Sequence, residues 1–192
     1  MASAASGKLV ILSAPSGAGK TTIMKRLVEA FPSLEFSVSA TSRAPRGTER
    51  HGIEYYFMTP EEFMELAETG NFVEWEEVYA GTHYGTLRSE LERIWGKGNA
   101  IVFDVDVKGG LRLKKIFGND ALSIFIMPPS VEELRRRLEY RGTDSEDNIE
   151  RRVAKALVEM EDAEGFDVIL MNDDLEKAVA EAQHLIGAFL GR

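Results

Sequence analysis

The 192-residue chain contains no cysteine, which excludes disulfide staples and thiolate metal sites and agrees with a reducing compartment, the cytoplasm by default. Histidine occurs only at His51, His83 and His184; these read as surface or loop residues with no assigned role. Long apolar runs are missing too. The longest, 9–12 and 100–103, are strand-sized and far below the roughly 18 residues that suggest a membrane span. Residues 1–7 are small and polar, lack the charged start and apolar middle of a signal peptide, and read as a disordered tail. Positive charge is in deficit: 23 Lys and Arg against 32 Asp and Glu leave a formal net charge of −9. Such a chain repels polyanions at long range, so nucleic acid is not an expected partner, and any phosphate ligand must sit in a local basic pocket.

What is present is ordinary in bulk. Hydrophobic residues at 44% and charged residues at 29% match a soluble globular protein, and the length suits one α/β core with small inserted lobes rather than two full-sized domains. Strand patterns fall at 8–13, 36–39, 55–58, 72–79, 100–106, 122–127 and 166–171, with a turn at 81–86. Helical periodicity falls at 21–31, 60–68, 87–95, from Ser130, at 149–161 and at 175–190. Local punctuation supports several of these: Pro32 stops the first helix, Thr59-Pro60-Glu61-Glu62 is a capping sequence, Ser130 and Glu133 are spaced as a capping box, and Arg141-Gly142-Thr143 breaks a helix. Mostly apolar strands alternating with helices predict an α/β fold with a parallel sheet covered by helices on both faces.

Between the first strand and first helix stands Ala14-Pro15-Ser16-Gly17-Ala18-Gly19-Lys20-Thr21, followed by Thr22. This is the context of a P-loop, whose glycines let backbone N–H groups converge on phosphate oxygens at a helix N-terminus. Lys20 is placed for the β- and γ-phosphates, and the Thr21 hydroxyl for Mg²⁺. Position 14 is Ala where the consensus begins with Gly. Asp104 and Asp106 sit at the end of the 100–106 strand, on one side of it by alternation, where a carboxylate orients Mg²⁺ through its waters. The plainer reading of the two aspartates is strand-end acids capping a loop.

A P-loop does not name the phosphate acceptor. The segment 37–49 carries Arg43 and Arg46 on a Gly- and Pro-bounded loop, and two guanidinium forks suit a dianionic monophosphate; a solvated basic loop is the alternative. Tyr55 and Tyr84 can donate to the same phosphate, though each alone is as readily a packed aromatic.

Taken together, Ser-Ala-Pro-Ser-Gly-Ala-Gly-Lys-Thr, Ser-x-Thr-Ser-Arg-x-Pro-Arg-x-x-Glu, His-Gly-x-x-Tyr, Phe-Val-Glu-Trp, Tyr-Gly-Thr, Phe-Asp-Val-Asp-x-x-Gly, Arg-Gly-Thr-Asp-Ser-Glu and Asn-Asp-Asp-Leu, in this order over 8–185, resemble guanylate kinases. The resemblance implies one domain over 8–188 on a P-loop NTPase core (8–37, 90–128 and 161–192), with an inserted GMP-binding lobe at 38–89 and a helical lid at 129–160. It implies ATP contacts along residues 14–22 and at Asn172. For GMP it implies Ser39, Arg43, Arg46, Glu49, Tyr55, Glu74, Tyr84, Thr86 and Asp106. Catalytic positions map to Lys20, Arg43, Asp104 and the lid arginines Arg141 and Arg152, with Mg²⁺ held by Thr21 and, through water, Asp104. Val78 to His83 is a residue longer than in some relatives, so Tyr-Gly-Thr alone anchors the register of Tyr84 and Thr86.

The chemistry of guanine fits that assignment. Its N1–H and 2-amino group are adjacent donors that one carboxylate such as Glu74 can accept, while a hydroxyl from Ser39 or Thr86 can donate to O6. Adenine presents the reverse pattern and leaves acceptors opposed. Without the resemblance, Glu74 reads as one more exposed acid. The expected reaction is Mg²⁺-dependent transfer of the ATP γ-phosphate to GMP, with dGMP left open as acceptor, carried by positioning and electrostatics without a covalent intermediate. The alternatives are another nucleoside monophosphate kinase or a non-catalytic guanylate-kinase-like binding module. A regulatory GTPase would need an Asn-Lys-x-Asp motif that is missing.

Overall fold

The computed structural model describes residues 7–140 and 145–191. Residues 1–6 of the expected 1–7 tail and the Arg141-Gly142-Thr143 break lie outside the described residues.

Five parallel strands form the core sheet: β1 (Leu9–Ser13), β2 (Leu34–Phe36), β7 (Ala100–Asp104), β8 (Ala121–Met127) and β9 (Val168–Met171), in the order β2-β7-β1-β8-β9. The central strand β1 is buried throughout, and its alternation divides two cores. Val10 and Leu12 face a cluster with Ile23 and Leu27 of α1 (Lys20–Ala30) and with Val179, Ala182 and Ile186 of α7 (Leu175–Leu190). The same cluster takes in Leu134 and Leu138 of α5 (Val131–Tyr140) and Ile149 and Val153 of α6 (Glu146–Glu161). Leu9 and Ile11 face the other way, onto Leu91 and Ile94 of α3 (Arg88–Trp95) and Leu113 of α4 (Val107–Phe117). Covering both faces explains why β1 reads as a continuous apolar run. No helix among the described residues is long and apolar enough to cross a membrane.

A second sheet, β4-β3-β6-β5, is built from β3 (Ala40–Thr41), β4 (Tyr56–Phe57), β5 (Phe72–Tyr79) and β6 (Thr82–Leu87). Its helix α2 (Pro60–Glu68) carries the expected capping box between Thr59 and Glu62 in full. The core of this unit is small, Ala40, Phe63 and Phe72 with Phe63 stacked on Phe72 at 4.4 Å. Buried Glu90 helps tie it to the main core, accepting from the Val38 N–H (2.9 Å) and the Tyr56 hydroxyl (2.8 Å) while Arg93 holds it from one helical turn away.

Several element readings change. The expected 36–39 strand is the junction of two sheets: β2 ends at Phe36, the Ser37 N–H makes the last bond to Val102, and the chain then crosses into β3. Residues 82–87 are a full strand hydrogen-bonded to β5, with the turn confined to its start. The 100–106 strand stops at Asp104, so Asp104 and Asp106 do not share a strand face; Asp106 is the N-cap of α4, accepting from the Gly109 N–H at 2.8 Å. That helix was not foreseen, because Lys108-Gly109-Gly110 at its start breaks a helical pattern. The Ser130–Glu133 box is half made: the Ser130 hydroxyl caps the Glu133 N–H, and the Glu133 carboxylate accepts from Arg136 and Arg137.

Candidate active site

The 14–21 loop leaves β1 and ends as α1. Its two glycine turns are obligatory: Gly17 and Gly19 both have φ of 98°, and a Cβ on Gly19 would lie 2.4 Å from Nδ2 of Asn172. Asn172 is buried and donates that nitrogen to the Ala18 carbonyl at 2.7 Å. Ala14 fits without strain, since among the described residues no non-glycine has positive φ, and its methyl is buried in the main core. Helix α1 has no side-chain N-cap and no acid in its first turn, unlike α4 and α7, which are capped by Asp106 and Asp174. Its first N–H groups are therefore left for an anion.

Lys20 forms an ion pair with Asp104 and donates to the Val105 carbonyl at 2.9 Å. Both sit at the carboxyl end of the core strands, where ligands bind in open α/β sheets. Among the described residues no three His, Cys, Asp or Glu side chains form a metal cage. Thr21 and Asp104 nevertheless line the same cleft. This donor set suits a hard divalent ion held by one or two protein oxygens with the remaining ligands supplied by phosphates and water.

An open cleft of about 500 Å³ runs between this loop and the second sheet. It brings together Ala14, Pro15, Ser16, Gly17, Gly19, Lys20, Thr21 and Thr22 with Ser39, Tyr55, Glu74, Tyr84, Asp104 and Asp106. Ala18, Arg43, Arg46, Glu49, Thr86, Asn172 and Arg152 are not on its wall, and Arg141 lies outside the described residues. Several of these act from behind it. Thr86 is buried opposite Glu74 in the β5–β6 ladder and donates its hydroxyl to Glu74 Oε1 at 2.9 Å. That donor was expected to face guanine O6; here it orients the carboxylate. Burial pushes the Glu74 carboxyl above its ordinary value of 4.5, helped by Asp106 and Glu76 and opposed by the Thr86 bond and Arg112.

Arg43 is held just as firmly. Its Nη1 and Nη2 grip Glu49 at 2.7 and 2.8 Å, Nη1 also donates to the Ala44 carbonyl, Nε donates to the Tyr84 hydroxyl at 3.1 Å, and the guanidinium lies 5.0 Å from the Tyr55 ring centroid. The Arg43 fork and the Arg46 N–H together hold the Glu49 carboxyl down to about 2. Glu49 is thus an anchor for Arg43. Arg46 is exposed, and Arg152 is half-buried on α6.

A second cleft of about 570 Å³ lies across the loop, sharing Gly17, Gly19 and Thr22 and walled by Glu133, Arg136, Arg137, Tyr140 and Asn172. Arg137 of α5 donates to the Asn172 carbonyl at 3.0 Å. Sequence reasoning also passed over Lys155 and Glu159, which line the first cleft; their spacing from Arg152, three and seven residues along α6, was the available signal.

Comparison with known proteins adds the lineage. The family model described as guanylate kinase matches residues 6–189. A guanylate kinase of Bacteroides thetaiotaomicron is 54% identical over 97% of this chain and 91% of its own length, and one of Porphyromonas gingivalis is 52% identical over 96% and 99%. The crystal structure of guanylate kinase from Anaplasma phagocytophilum superposes with a TM-score of 0.77 at 32% identity, covering 98% of this chain and 88% of that one. A family model that spans the chain almost end to end, with relatives half identical over nearly their full lengths, leaves one conclusion: this chain belongs to the guanylate kinase family.

Proposed function

We propose that the chain is a guanylate kinase enzyme that transfers the γ-phosphate of ATP to GMP with Mg²⁺. The observation that carries this reading is Glu74, oriented from behind by the Thr86 hydroxyl, on the wall of the same cleft as Lys20 and Asp104. One wall offers a desolvated, oriented acceptor pair for two adjacent base donors, and the other offers a phosphate cradle.

In this reading GMP lies in the first cleft, its base at Glu74 and its phosphate at Tyr84 and Arg43. Four of the five N–H donors of Arg43 are already engaged, so Arg43 keeps one for the phosphate and Tyr84, whose oxygen accepts from Arg43, has its hydroxyl proton to give beside it. ATP places its phosphates on residues 14–22 and its base toward the second cleft beside Asn172. The shared residues Gly17, Gly19 and Thr22 put the two substrates end to end, the arrangement an in-line transfer needs. Thr21 and, through water, Asp104 would hold Mg²⁺, which would supply charge neutralisation for the donor phosphates. Lys20, already fixed by Asp104 and Val105, is aimed without reorganisation at the transferring group, and Arg141 and Arg152 add positive charge. The acceptor phosphate is already ionised, so no general base is required; no histidine lies among the described residues lining the cleft.

A coupled assay with GMP, AMP, UMP and dTMP as acceptors tests the reading. Fastest turnover with GMP is expected; fastest turnover with any other base would end it.

A further inference from the structure

The charge on the wall of the first cleft is the reverse of what two phosphate-bearing substrates need. Its titratable carboxylates are Glu54, Glu74, Glu76, Asp104, Asp106 and Glu159, and its only cations among the described residues are Lys20 and Lys155. Lys20 has its place in the phosphate loop. Lys155, on the cleft face of α6, has so far none.

Lys155 is 59% exposed and its Nζ lies 3.3 Å from Oε1 of Glu159, one helical turn on, which is only 15% exposed. An ordinary surface pair would explain little. Exposed i,i+4 pairs contribute little, and this one has Lys N-terminal to Glu, the weaker orientation along a helix. Glu159 has instead been placed where a carboxylate is poorly solvated: burial raises its proton affinity, Asp106 raises it further, and Lys155 and Lys20 oppose the shift. A long, mobile lysine tethered to a half-desolvated acid within electrostatic reach of the phosphate loop is a cation held ready over the reaction path.

We propose that Lys155 is a phosphate-binding side chain when both nucleotides are in place, and that Glu159 is the positioning residue that holds it at the cleft. The proposal rests on the phosphotransfer reading, and adds a cation to those expected from the family. With substrates bound, phosphate oxygens outcompete the single carboxylate, and the ammonium moves by rotation of its own flexible stem.

The test uses the full chain and four variants, Lys155→Ala, Lys155→Arg, Glu159→Gln and the Lys155→Ala/Glu159→Gln double. The readouts are kcat, KM for each substrate, and calorimetric affinity for GMP and for a bisubstrate probe joining adenosine to guanosine through five phosphates. Thermal melts check the fold. Lys155→Ala should lower kcat and bisubstrate affinity each by about tenfold, ~1.4 kcal/mol, with GMP affinity unchanged. Lys155→Arg should restore most of both, and the double variant should be no worse than Lys155→Ala, because Glu159 acts through Lys155. Wild-type bisubstrate affinity carried by Lys155→Ala, equal losses in Ala and Arg, or additive losses in the double would each overturn the proposal. The probe titration needs no turnover, so it judges Lys155 separately from the wild-type acceptor assay that judges the function.

Discussion

Thr86 and Glu74 face each other across the β5–β6 ladder, and the Thr86 hydroxyl fixes one oxygen of the Glu74 carboxylate at 2.9 Å. The pair is costly to the fold, since Glu74 is held in a place that penalises its charge. Glu74→Gln keeps an acceptor for Thr86 and removes the charge. We expect it to weaken GMP binding by roughly 100-fold, keep ATP-analogue binding, and raise the melting temperature at neutral pH. Calorimetry and thermal melts check the three together; undiminished GMP affinity would remove Glu74 from base recognition.

The same carboxyl sets a pH dependence. Its folded-state pKa is raised above 4.5, so on acidification it protonates earlier than an ordinary glutamate, and the proton blocks acceptance from guanine. KM for GMP should rise as pH falls through that window, more steeply in the wild type than in Glu74→Gln, which shares every other titration. Stability runs the opposite way. In the window just above pH 4.5 the folded state binds more protons than the unfolded, so this group's contribution to stability falls as pH rises. Equal pH slopes of KM in the two proteins would contradict the assignment.

Arg43 and Glu49 form a two-point fork at 2.7 and 2.8 Å. Arg43→Ala should raise KM for GMP by roughly 10- to 100-fold, the worth of one charge-assisted hydrogen bond. Glu49→Gln should raise it by about threefold with kcat little changed, because the guanidinium loses its anchor. Tighter GMP binding in Glu49→Gln would mean that Glu49 competes with the phosphate instead of presenting Arg43.

Gly19 has no room for a side chain. Gly19→Ala adds left-handed strain of about 1–3 kcal/mol and pushes a methyl into Asn172, 2.4 Å away, so nucleotide binding should be lost with a lower melting temperature. Asn172→Ala gives up only the bond to Ala18, expected at about 1–2 kcal/mol, with weakened ATP-analogue affinity and GMP binding retained. Isothermal titration of each variant separates the two.

Glu90 is 2% exposed. Burial alone would raise its pKa, but Arg93, the Val38 N–H and the Tyr56 hydroxyl outweigh it and leave the carboxyl lowered and charged. Glu90→Ala takes the acceptor from the Val38 N–H and the Tyr56 hydroxyl and leaves Arg93 with Glu35 as its acid at the junction of the two sheets, and should cost about 3 kcal/mol, a melting point roughly 6–12 °C lower. Denaturation followed by circular dichroism checks it; a loss under 1 °C would show that the junction does not depend on this residue.

Much of this molecule is legible in one dimension because its signals are local. The run Leu9 to Ser13, the glycines before Lys20 and the Thr59 capping box are each set by neighbours a few residues away, and so they read correctly. Where the reading failed, a distant partner decided. Residues 36–39 look like one strand, yet Val102 claims Ser37 and Glu90 claims Val38. Asp106 continues an alternating pattern, yet its carboxylate turns to cap Gly109.

The amino-acid order by itself determined the α/β class, the phosphate loop and the family, because glycine φ, strand periodicity and motif order are properties of the chain. Only the tertiary structure decided that Thr86 orients Glu74, that Glu49 anchors Arg43, and that Lys155 and Glu159 overlook the same cleft. Those roles depend on which side chains lose water together, and desolvation is a property of packing that no spacing in the sequence encodes.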